Sequence, residues 1–422
     1  MSATTIIAEI AKRARVAART LSSSTGSERN QLLLNIADEL EKNLDVIIKA
    51  NQLDMDAAKS AAISPALQDR LLLTAKRVNE MASATREIAK LADPLGRVLV
   101  ERNLENGLNL TQKSVPFGVV GMVYEARPNV TVDAAVILIK SGNAALLRGS
   151  STASHSNNAL IEVMKKAFIN TKISDEVLQL IPSDDRATAT ALLTARGLVD
   201  LVIPRGSAQL IRSVIDEATV PTIETGAGVC HVYVDKSANL EKAVAILINS
   251  KCDRPSVCNA AETLLVHQDI AEKFLPLALN ALAQAGVVIN VDAKSKAVAD
   301  SLNIKVNLAT KESWSTEYGS LEINVAQVVD VLAAIDHIAK YGTNHTEAIV
   351  AEDKDAISIF TSLNDCAAIM VNASTRFTDG GQMGLGAEIG ISNQKLHARG
   401  PMGLEQMTTT TWIVSGNGQI RQ

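Results

Sequence analysis

One cysteine stands at a position suited to covalent chemistry. Cys258 lies in the stretch RPSVCNAAETLLVH, residues 254–267, at the junction between a predicted helix and a predicted strand. A thiol becomes a strong nucleophile when polar neighbours lower its pKa, and Arg254 and Asn259 are close to this one in sequence. By these residue types alone, Cys258 is either a nucleophile or a small thiol of the core.

The other cysteines are weaker candidates. Cys230 and Cys366 adjoin apolar runs and are expected in the core, which leaves Cys252 as the rival nucleophile. The 4 cysteines form no C-x-x-C pair and the 6 histidines are scattered, so no metal site is predicted. So few thiols in 422 residues argue against a disulfide framework and favour a reducing, cytoplasmic compartment.

Composition argues against several classes of partner. The chain has 47% hydrophobic and 21% charged residues, which is typical of a soluble globular protein, and its net charge is −5. It has no basic block interleaved with aromatic residues, so neither nucleic acid nor an anionic membrane is expected as a partner. No apolar run reaches the roughly 18 residues of a membrane span.

The elements that must position Cys258 follow from periodicity. The start, MSATTIIAEIAKRARVAART, is basic like a transit peptide, but a first helix with Ile6, Ile10, Ala11 and Ala17 on its apolar side is favoured. Residues 27–50 have a helical period behind the N-cap candidate Ser27, and Pro65 marks another helix start, so the first ~95 residues are predicted helical.

A different pattern follows this helical part. A hairpin is predicted across Asn106-Gly107, and from Val115 onward apolar strands alternate with helices. Such alternation is typical of parallel sheets covered by helices on both faces. The Thr-rich segment near 408–415 is predicted as a final strand that pairs with the hairpin or with a partner chain.

Ligands of parallel sheets bind where strands end, and four loops after predicted strands are candidates. They are EARPNVTV, LLRGSSTASHSN, RGSAQLIRS and TGAGVCHVYVD, the last of which follows the predicted strand VPTIE. None contains G-x-G-x-x-G, so the usual dinucleotide fingerprint is absent. Gly206-Ser207 opens a helix, where a glycine either seats a pyrophosphate or serves only the turn.

The order of these motifs resembles the aldehyde dehydrogenase superfamily: PFGVVGMVYEARPN, AALLRGSS and IETGAG, followed by Cys258. More specifically, LVIPRGSAQLI, GVCHVYVD, RPSVCNAAETLLVH and VNASTRFTDGGQMGLGAEIGISNQKLHARGPMGLE resemble γ-glutamyl phosphate reductases, over essentially the whole chain. The resemblance implies an α/β fold with two parallel-sheet, Rossmann-type domains. It implies cofactor binding by 1–96 and 115–250, catalysis by 251–385, and an oligomerisation arm of hairpin 97–114 and terminal strand 403–422.

The resemblance also implies the reaction. The chain is expected to reduce L-glutamyl 5-phosphate to L-glutamate 5-semialdehyde and phosphate with NADPH, the second step of proline biosynthesis from glutamate. Cys258 would form a thioester, and Asn129 with the Cys258 backbone N–H would stabilise the oxyanion, unless Asn129 is a turn residue. The alternatives are an acylating dehydrogenase that uses a CoA thioester and a catalytically silent binding protein.

The cofactor preference follows from the segment LLRGSS, which matches the superfamily segment that grips the adenosine ribose. Arg148 supplies a cation, and Ser150 and Ser151 stand where an acidic residue would repel a 2′-phosphate, so NADPH is preferred to NADH. Glu317, with Glu322 as the alternative, matches a carboxylate that holds the nicotinamide ribose. The remaining implied cofactor contacts are Gly149, Arg205, Gly206, Ser207 and Glu224.

The role of Glu224 stays open, because it matches the water-activating carboxylate of hydrolytic members and could instead face the substrate ammonium or support a loop. The substrate contacts implied by the resemblance are Arg127, Arg376, Thr378, Asp379, Lys395, His397 and Arg399. The glycine-rich DGGQMGLG offers backbone N–H groups to an oxyanion. A homodimer or homotetramer is expected through the arm, and hand-over of the labile acyl phosphate from glutamate 5-kinase is an open expectation.

Overall fold

The structure, a computed structural model, describes residues 1–125 and 127–421, without the side chains of residues 66 and 208. Its contacts divide the chain into two compact units. Unit 1 comprises residues 1–224, 385–390 and 402–422, and unit 2 comprises residues 225–384 and 391–401. The division after residue 224 differs from the expected one after residue 250. The reason is that residues 225–250 contain a strand of the unit 2 sheet and most of a helix of the same unit.

Helices open unit 1, as the periodicity predicts: α1 (Ala3–Ser23), α2 (Gly26–Lys42), α3 (Leu44–Ser60), α4 (Pro65–Leu71) and α5 (Ala75–Lys90). Two details of the prediction are wrong. Ile7, 1% exposed, is buried on α1 where Ile6 was expected. Thr25 replaces Ser27 as the N-cap of α2, because Thr25 and Glu28 form a reciprocal capping box.

An antiparallel sheet of three strands confirms the predicted hairpin and terminal strand. Its strands are β1 (Val98–Asn103), β2 (Asn109–Pro116) and β16 (Thr408–Ser415), and β2 lies in the middle. Gly107 adopts a φ of 82° in the hairpin turn, a conformation that glycine adopts without strain. The terminal strand therefore pairs with the hairpin of its own chain.

The second sheet of unit 1 is parallel, in the order β5-β4-β3-β6. It is built from β3 (Val119–Tyr124), β4 (Ala144–Arg148), β5 (Leu178–Leu180) and β6 (Leu201–Arg205), with helices α6 (Pro128–Lys140), α7 (Ser154–Lys166), α8 (Arg186–Leu193) and α9 (Ala208–Glu217). The prediction that the segment VPTIE forms a strand is wrong. It forms a single bridge between Thr222 and Val202, because Pro221 lacks the N–H that a longer ladder requires.

Unit 2 is built on a parallel sheet of seven strands in the order β10-β9-β11-β8-β7-β12-β13. Its strands are β7 (Cys230–Val234), β8 (Ala261–His267), β9 (Val288–Val291), β10 (Asn307–Leu308), β11 (Glu322–Val328), β12 (Thr346–Val350) and β13 (Ala368–Val371). GVCHVYVD, predicted as part of a loop, forms β7. All five of its residues are buried, because helices cover both faces of the sheet.

Two apolar clusters of unit 2 contain Phe274 and Phe360, respectively. The helices of this unit are α10 (Leu240–Cys252), α11 (Ala271–Gln284), α12 (Ala293–Ser301), α13 (Val331–Tyr341) and α14 (Lys354–Leu363). A short antiparallel pair, β14 (Ile391–Ser392) and β15 (Gly400–Pro401), completes it.

Candidate active site

The candidate nucleophile lies at the amino edge of the seven-stranded sheet. Cys258 occupies a turn between α10 and β8, Gly228 precedes β7, and Glu317 precedes β11. Since β7 and β11 flank β8 in parallel, the three loops meet at one edge. The expectation that ligand loops follow the strands is therefore wrong for the TGAG segment, which precedes β7 and so lies at the amino edge of the sheet, with the Cys258 loop, and not at the carboxyl edge.

The backbone of Gly228 packs directly against the nucleophile. A Cβ atom at residue 228 would lie 1.4 Å from the Cys258 carbonyl oxygen, so only glycine fits. The Gly228 N–H donates to Glu317 Oε1 at 3.1 Å, and the Cys230 thiol donates to the Cys258 carbonyl oxygen at 3.2 Å. The Cys258 backbone is thereby held by two neighbouring segments.

Burial makes the other three thiols poor nucleophiles. It raises the pKa of Cys230 well above its ordinary range, that of Cys366 to about 12, and that of Cys252 as well. A thiol surrounded by apolar groups loses the solvation that its thiolate needs. Cys252 and Cys258 are both half-buried, so exposure does not separate them; Cys258 differs in lying in a turn against Gly228, whereas Cys252 ends α10.

Asn259 ties the nucleophile loop to the segment that carries two predicted substrate contacts. Its side-chain amide donates to the Thr378 carbonyl oxygen at 2.8 Å, and its Oδ1 accepts from the Arg376 guanidinium. Arg376 Nε donates to Asp253 Oδ2 at 3.1 Å, and the arginine side chain is only 17% exposed. Arg376 and Thr378 thus lie at the nucleophile loop and support it.

The other predicted substrate contacts of unit 2 form two smaller groups. Asp379 Oδ1 accepts from the Gly381 N–H at 2.9 Å, which closes the glycine-rich turn. Lys395 and Arg399 both bind Asp365, at 2.5 and 2.9 Å, and these hydrogen bonds lower the pKa of Asp365. The exposed His397 lies between those two cations in sequence.

A buried ion pair that sequence reasoning missed lies at the base of the nucleophile loop. Lys251 Nζ is 2.7 Å from Glu262 Oε2, and both side chains are fully buried. Burial raises the pKa of Glu262 to about 7, against the opposing effect of Lys251. A usable signal was present in the sequence, because a glutamate inside the strand AETLLVH must find a partner when both faces of the sheet are covered.

In unit 1 the candidate residues follow the strands, as predicted. Asn129 lies in the first turn of α6, after β3, and its side-chain amide donates to Asp133 Oδ2 at 3.0 Å. Burial raises the pKa of Asp133 to about 6. The amide carries two N–H donors, so one remains for another acceptor. The exposed Arg127 directly precedes α6.

A groove of about 340 Å³ lies at the ends of β4 and β5. Arg148, the last residue of β4, donates to the carbonyl oxygen of Ser183 in the groove wall at 3.5 Å, and its buried Nε has no partner among the described atoms. Burial lowers the pKa of Arg148, and nearby Arg186 adds to this effect. Arg148 does not itself line the groove, but its contact with Ser183 places the guanidinium beside the wall, where the groove could hold the adenosine end of a nicotinamide dinucleotide. The groove is lined by Ser151, Ser154, Asn158, Leu180, Ile181, Pro182, Ser183 and Asp184.

The segment after Arg148 also has a constrained backbone. A Cβ atom at Gly149 would lie 2.3 Å from Asn157 Nδ2, so a side chain does not fit there. Ser150 caps the short 3₁₀ turn Ser151–Ala153 by accepting from the Thr152 N–H. Both predicted serines are therefore beside the groove, where neither brings a negative charge.

The start of α9 is the candidate pyrophosphate-binding position, and in the structure the carboxylate of Glu125, from the same unit, occupies it. Glu125 accepts from the Ser207 N–H at 2.9 Å and from its hydroxyl at 2.6 Å, and a Cβ atom at Gly206 would meet the same carboxylate at 2.8 Å. Sequence reasoning missed Glu125, although an acid directly after a strand was visible. Arg205 donates to the Ile389 carbonyl oxygen at 2.7 Å.

The two alternative ribose carboxylates have different surroundings. Glu322 accepts from Asn290 Nδ2 at 2.9 Å, whereas Glu317 belongs to the loops around Cys258. Glu224, half-buried, ends the long first segment of unit 1.

Two negative findings concern only the described residues. No three or more of their His, Cys, Asp and Glu side chains are grouped so as to hold a metal ion. Nor does the described part of the chain contain a helix both long and apolar enough to span a membrane.

Comparison with known proteins gives a consistent result. The sequence model of the aldehyde dehydrogenase family matches residues 2–301. A γ-glutamyl phosphate reductase of Thermobifida fusca is 49% identical over 98% of both chains, and one of Kineococcus radiotolerans is 51% identical over 98% of this chain and 95% of its own. The crystal structure of γ-glutamyl phosphate reductase from Thermotoga maritima has a TM-score of 0.96 at 43% identity and covers 99% of this chain and 100% of its own. The aldehyde dehydrogenase-like α/β fold predicted from sequence is confirmed.

Proposed function

We propose, from the premise that this chain belongs to the aldehyde dehydrogenase family and within it to the γ-glutamyl phosphate reductases, that it reduces L-glutamyl 5-phosphate to L-glutamate 5-semialdehyde and phosphate. This reaction is the second step of proline biosynthesis from glutamate. The observation that carries the proposal is the setting of Cys258: its carbonyl oxygen packs against Gly228 and accepts from the Cys230 thiol, and the adjacent Asn259 binds Arg376 and Thr378.

The chain's own residues carry the acyl transfer. The Cys258 thiolate attacks the acyl carbon, the bond from that carbon to the phosphate oxygen breaks, and phosphate departs with the electron pair to leave a thioester. Asn129 and the Cys258 backbone N–H are the donors we assign to the oxyanion, and losing one such donor typically costs about 10²–10³ in kcat. Bound NADPH supplies the hydride that reduces the thioester. The Cys258 sulfur then leaves as thiolate and the aldehyde is released.

The thioester must be kept from water, because hydrolysis would waste it as glutamate. Glu224 is the residue that matches the water-activating carboxylate of hydrolytic relatives. A Glu224→Gln variant separates its roles through the ratio of glutamate to semialdehyde formed. That ratio falls if Glu224 activates water, and the KM for substrate rises instead if Glu224 binds the ammonium group.

NADPH is the cofactor we assign, supported by Arg148 and the uncharged serines beside the groove. A hydrogen bond to a charged group contributes about 1.5–3 kcal/mol, so Arg148→Ala should reduce the NADPH over NADH preference by roughly 10- to 150-fold. Arg196→Ala, an exposed arginine of the same unit, is the control. Equal use of both cofactors by the intact protein would overturn the assignment.

For the substrate we assign Asp379 to the ammonium group and Arg127, Lys395, His397 and Arg399 to the anionic groups. Arg376 and Thr378 are assigned to supporting the nucleophile loop, on the strength of their contacts with Asn259. Charge complementarity supports this set, since the substrate carries a carboxylate, an ammonium and a phosphate.

The deciding experiment is the reverse reaction. Oxidation of the semialdehyde with NADP⁺ should require inorganic phosphate or arsenate, and Cys258→Ser should abolish it. A requirement for CoA would instead support the acylating dehydrogenase. Full activity after complete alkylation of Cys258 by iodoacetamide would exclude the covalent mechanism.

We further propose a homodimer or homotetramer formed through the three-stranded sheet. Its outer strands leave unpaired edges, and Leu99, Trp412 and Val414 are 49%, 50% and 55% exposed. Light scattering that finds a stable monomer at micromolar concentration would contradict this.

Two expectations about the cell accompany the assignment. A cytoplasmic location is supported by the absence of disulfides among the described cysteines, because such thiols persist in reducing compartments. Direct hand-over from glutamate 5-kinase is supported by the lability of an acyl phosphate. It is tested by competition: an added reagent that consumes free acyl phosphate should not reduce the semialdehyde yield when both enzymes are present.

A further inference from the structure

A buried ion pair joins the two elements that flank the Cys258 loop. Lys251 lies in the last turn of α10, before the loop, and Glu262 lies in β8, after it. Their charged groups are 2.7 Å apart and both side chains are fully buried. The loop that carries the nucleophile is therefore closed at its base by a contact between charges.

Stability is a poor explanation for this pair. Removing two ions from water costs several kcal/mol per ion, and apolar residues of similar volume are often as stabilising. Neighbouring positions of β8 are filled by apolar residues such as Leu264 and Val266, which pack into the core of unit 2. A leucine at residue 262 would suit that core, so the charges point to another role.

The pair is connected to the loops around the nucleophile. The second oxygen of Glu262 accepts from the Gly319 N–H at 3.3 Å, in the loop that also carries Glu317. Glu317 in turn accepts from the Gly228 N–H at 3.1 Å. Because Gly228 packs on the Cys258 carbonyl, the contacts run in a closed path from the ion pair to the nucleophile.

The charge of Lys251 also acts on Glu262 and Glu317. Burial raises the pKa of both Glu262 and Glu317, and the positive charge of Lys251 opposes the rise in each. One ammonium thus acts on the fully buried carboxylate of Glu262 and on the exposed Glu317. Without Lys251, the Glu262 carboxylate would be disfavoured as an anion, and its hydrogen bond to Gly319, in the loop that carries Glu317, would weaken.

We propose that Lys251 and Glu262 are positioning residues for the nucleophile, which hold the Cys258 loop and, through the Gly319 N–H, the loop from which Glu317 anchors Gly228. The proposal rests on the proposed function only in taking Cys258 as the reacting thiol. Neither residue is assigned a contact with substrate or cofactor. Their effect passes through the backbone around Cys258 and through its electrostatic field.

The test uses Lys251→Met, Glu262→Gln and the double variant Lys251→Met with Glu262→Leu, which replaces the pair by apolar groups and guards against misfolding of the single variants. Lys242→Met is the matched control, because Lys242 lies on the same helix and pairs with Glu352 at 3.0 Å on the surface. The readouts are thermal unfolding, kcat, and the pH dependence of Cys258 alkylation by iodoacetamide.

Opposite electrostatic shifts are the expected signature. The midpoint of the alkylation profile should rise by roughly half a pH unit in Lys251→Met and fall by a similar amount in Glu262→Gln. The folded double variant should keep its Tm within a few degrees and lose about tenfold or more in kcat. Lys242→Met should match the intact protein in all three readouts.

Unchanged alkylation midpoints, or an unchanged kcat in the folded double variant, would overturn the proposal. Shifts of the same sign in both single variants would also overturn it, since they would indicate only a disturbed fold. Alkylation requires neither substrate nor cofactor. If the midpoints shift as expected but the intact protein fails the phosphate-dependence assay, the proposed function fails while the positioning role stands.

Discussion

Replacing Gly228 by alanine is a direct perturbation of the nucleophile backbone. The added Cβ atom would lie 1.4 Å from the Cys258 carbonyl oxygen. An ordinary contact between carbon and oxygen is about 3.4 Å, so the two backbones must separate by about 2 Å. The obstacle is backbone on both sides, which no side-chain rotation relieves.

The expected loss follows from this displacement. A misplacement of about 1 Å at a reacting group costs on the order of 10²-fold in rate, so Gly228→Ala should lower kcat/KM by at least that factor. Overpacking of this kind also costs about 1–3 kcal/mol of stability, which lowers Tm but leaves the chain folded. The loss of activity should therefore greatly exceed the loss of folded protein.

Gly197→Ala provides the control. Gly197 has a φ of 84° and no atom within 4 Å of its added Cβ, so alanine there is strained without a clash. The left-handed conformation costs roughly 1–2 kcal/mol, comparable with the stability change expected at residue 228. Thermal unfolding, kcat/KM and the rate of Cys258 alkylation should be measured on both variants.

Near-normal kcat/KM in folded Gly228→Ala would refute the close packing of Gly228 on Cys258. An equal loss of activity in Gly197→Ala would refute the claim that the effect is local. In either case the loops at the amino edge of the sheet would not hold the nucleophile in the way described.

Two further predictions concern charged and titratable groups. Glu125→Gln should tighten NADPH binding roughly two- to fivefold, because a full negative charge leaves the start of α9. Isothermal titration would show this, and weaker binding would contradict it. Burial lowers the pKa of His345 to about 4, so the folded protein holds this side chain neutral while the unfolded chain takes up a proton below its ordinary pKa of about 6.5. Its contribution to stability is therefore complete above pH ~6.5 and is lost progressively down to about 4, by up to ~1.4 kcal/mol per pH unit. Denaturant unfolding at several pH values should show that the free energy of unfolding changes less steeply with pH in this window for His345→Asn than for the intact protein. An unchanged slope would count against the prediction.

Much of the architecture could be predicted without coordinates, because its causes are local. Apolar spacing predicts the N-terminal helices, Asn106-Gly107 predicts the hairpin, and the motif order predicts the family. The errors also had local causes: Pro221 interrupts a strand-like run, and the polar His231 interrupts the continuous apolar run by which GVCHVYVD would have been recognised as a strand buried on both faces.

The candidate site, too, could be predicted from sequence only in part. The motif around Cys258 marks the candidate nucleophile, because a reactive cysteine and its neighbours are contiguous in sequence. The contacts that hold it are not. The hydrogen bond between Gly228 and Glu317 joins residues 89 positions apart, and the one between Asn259 and Thr378 joins residues 119 apart.

The sequence by itself therefore determined the fold class, the family and the thiol to test, since these depend on periodicity and contiguous motifs. Only the tertiary structure decided that Lys251 and Glu262 close the nucleophile loop, that Glu125 occupies the start of α9, and that Arg376 supports Asn259. Each of those contacts depends on which strands lie side by side and in what register, and the packing of the whole sheet sets that register.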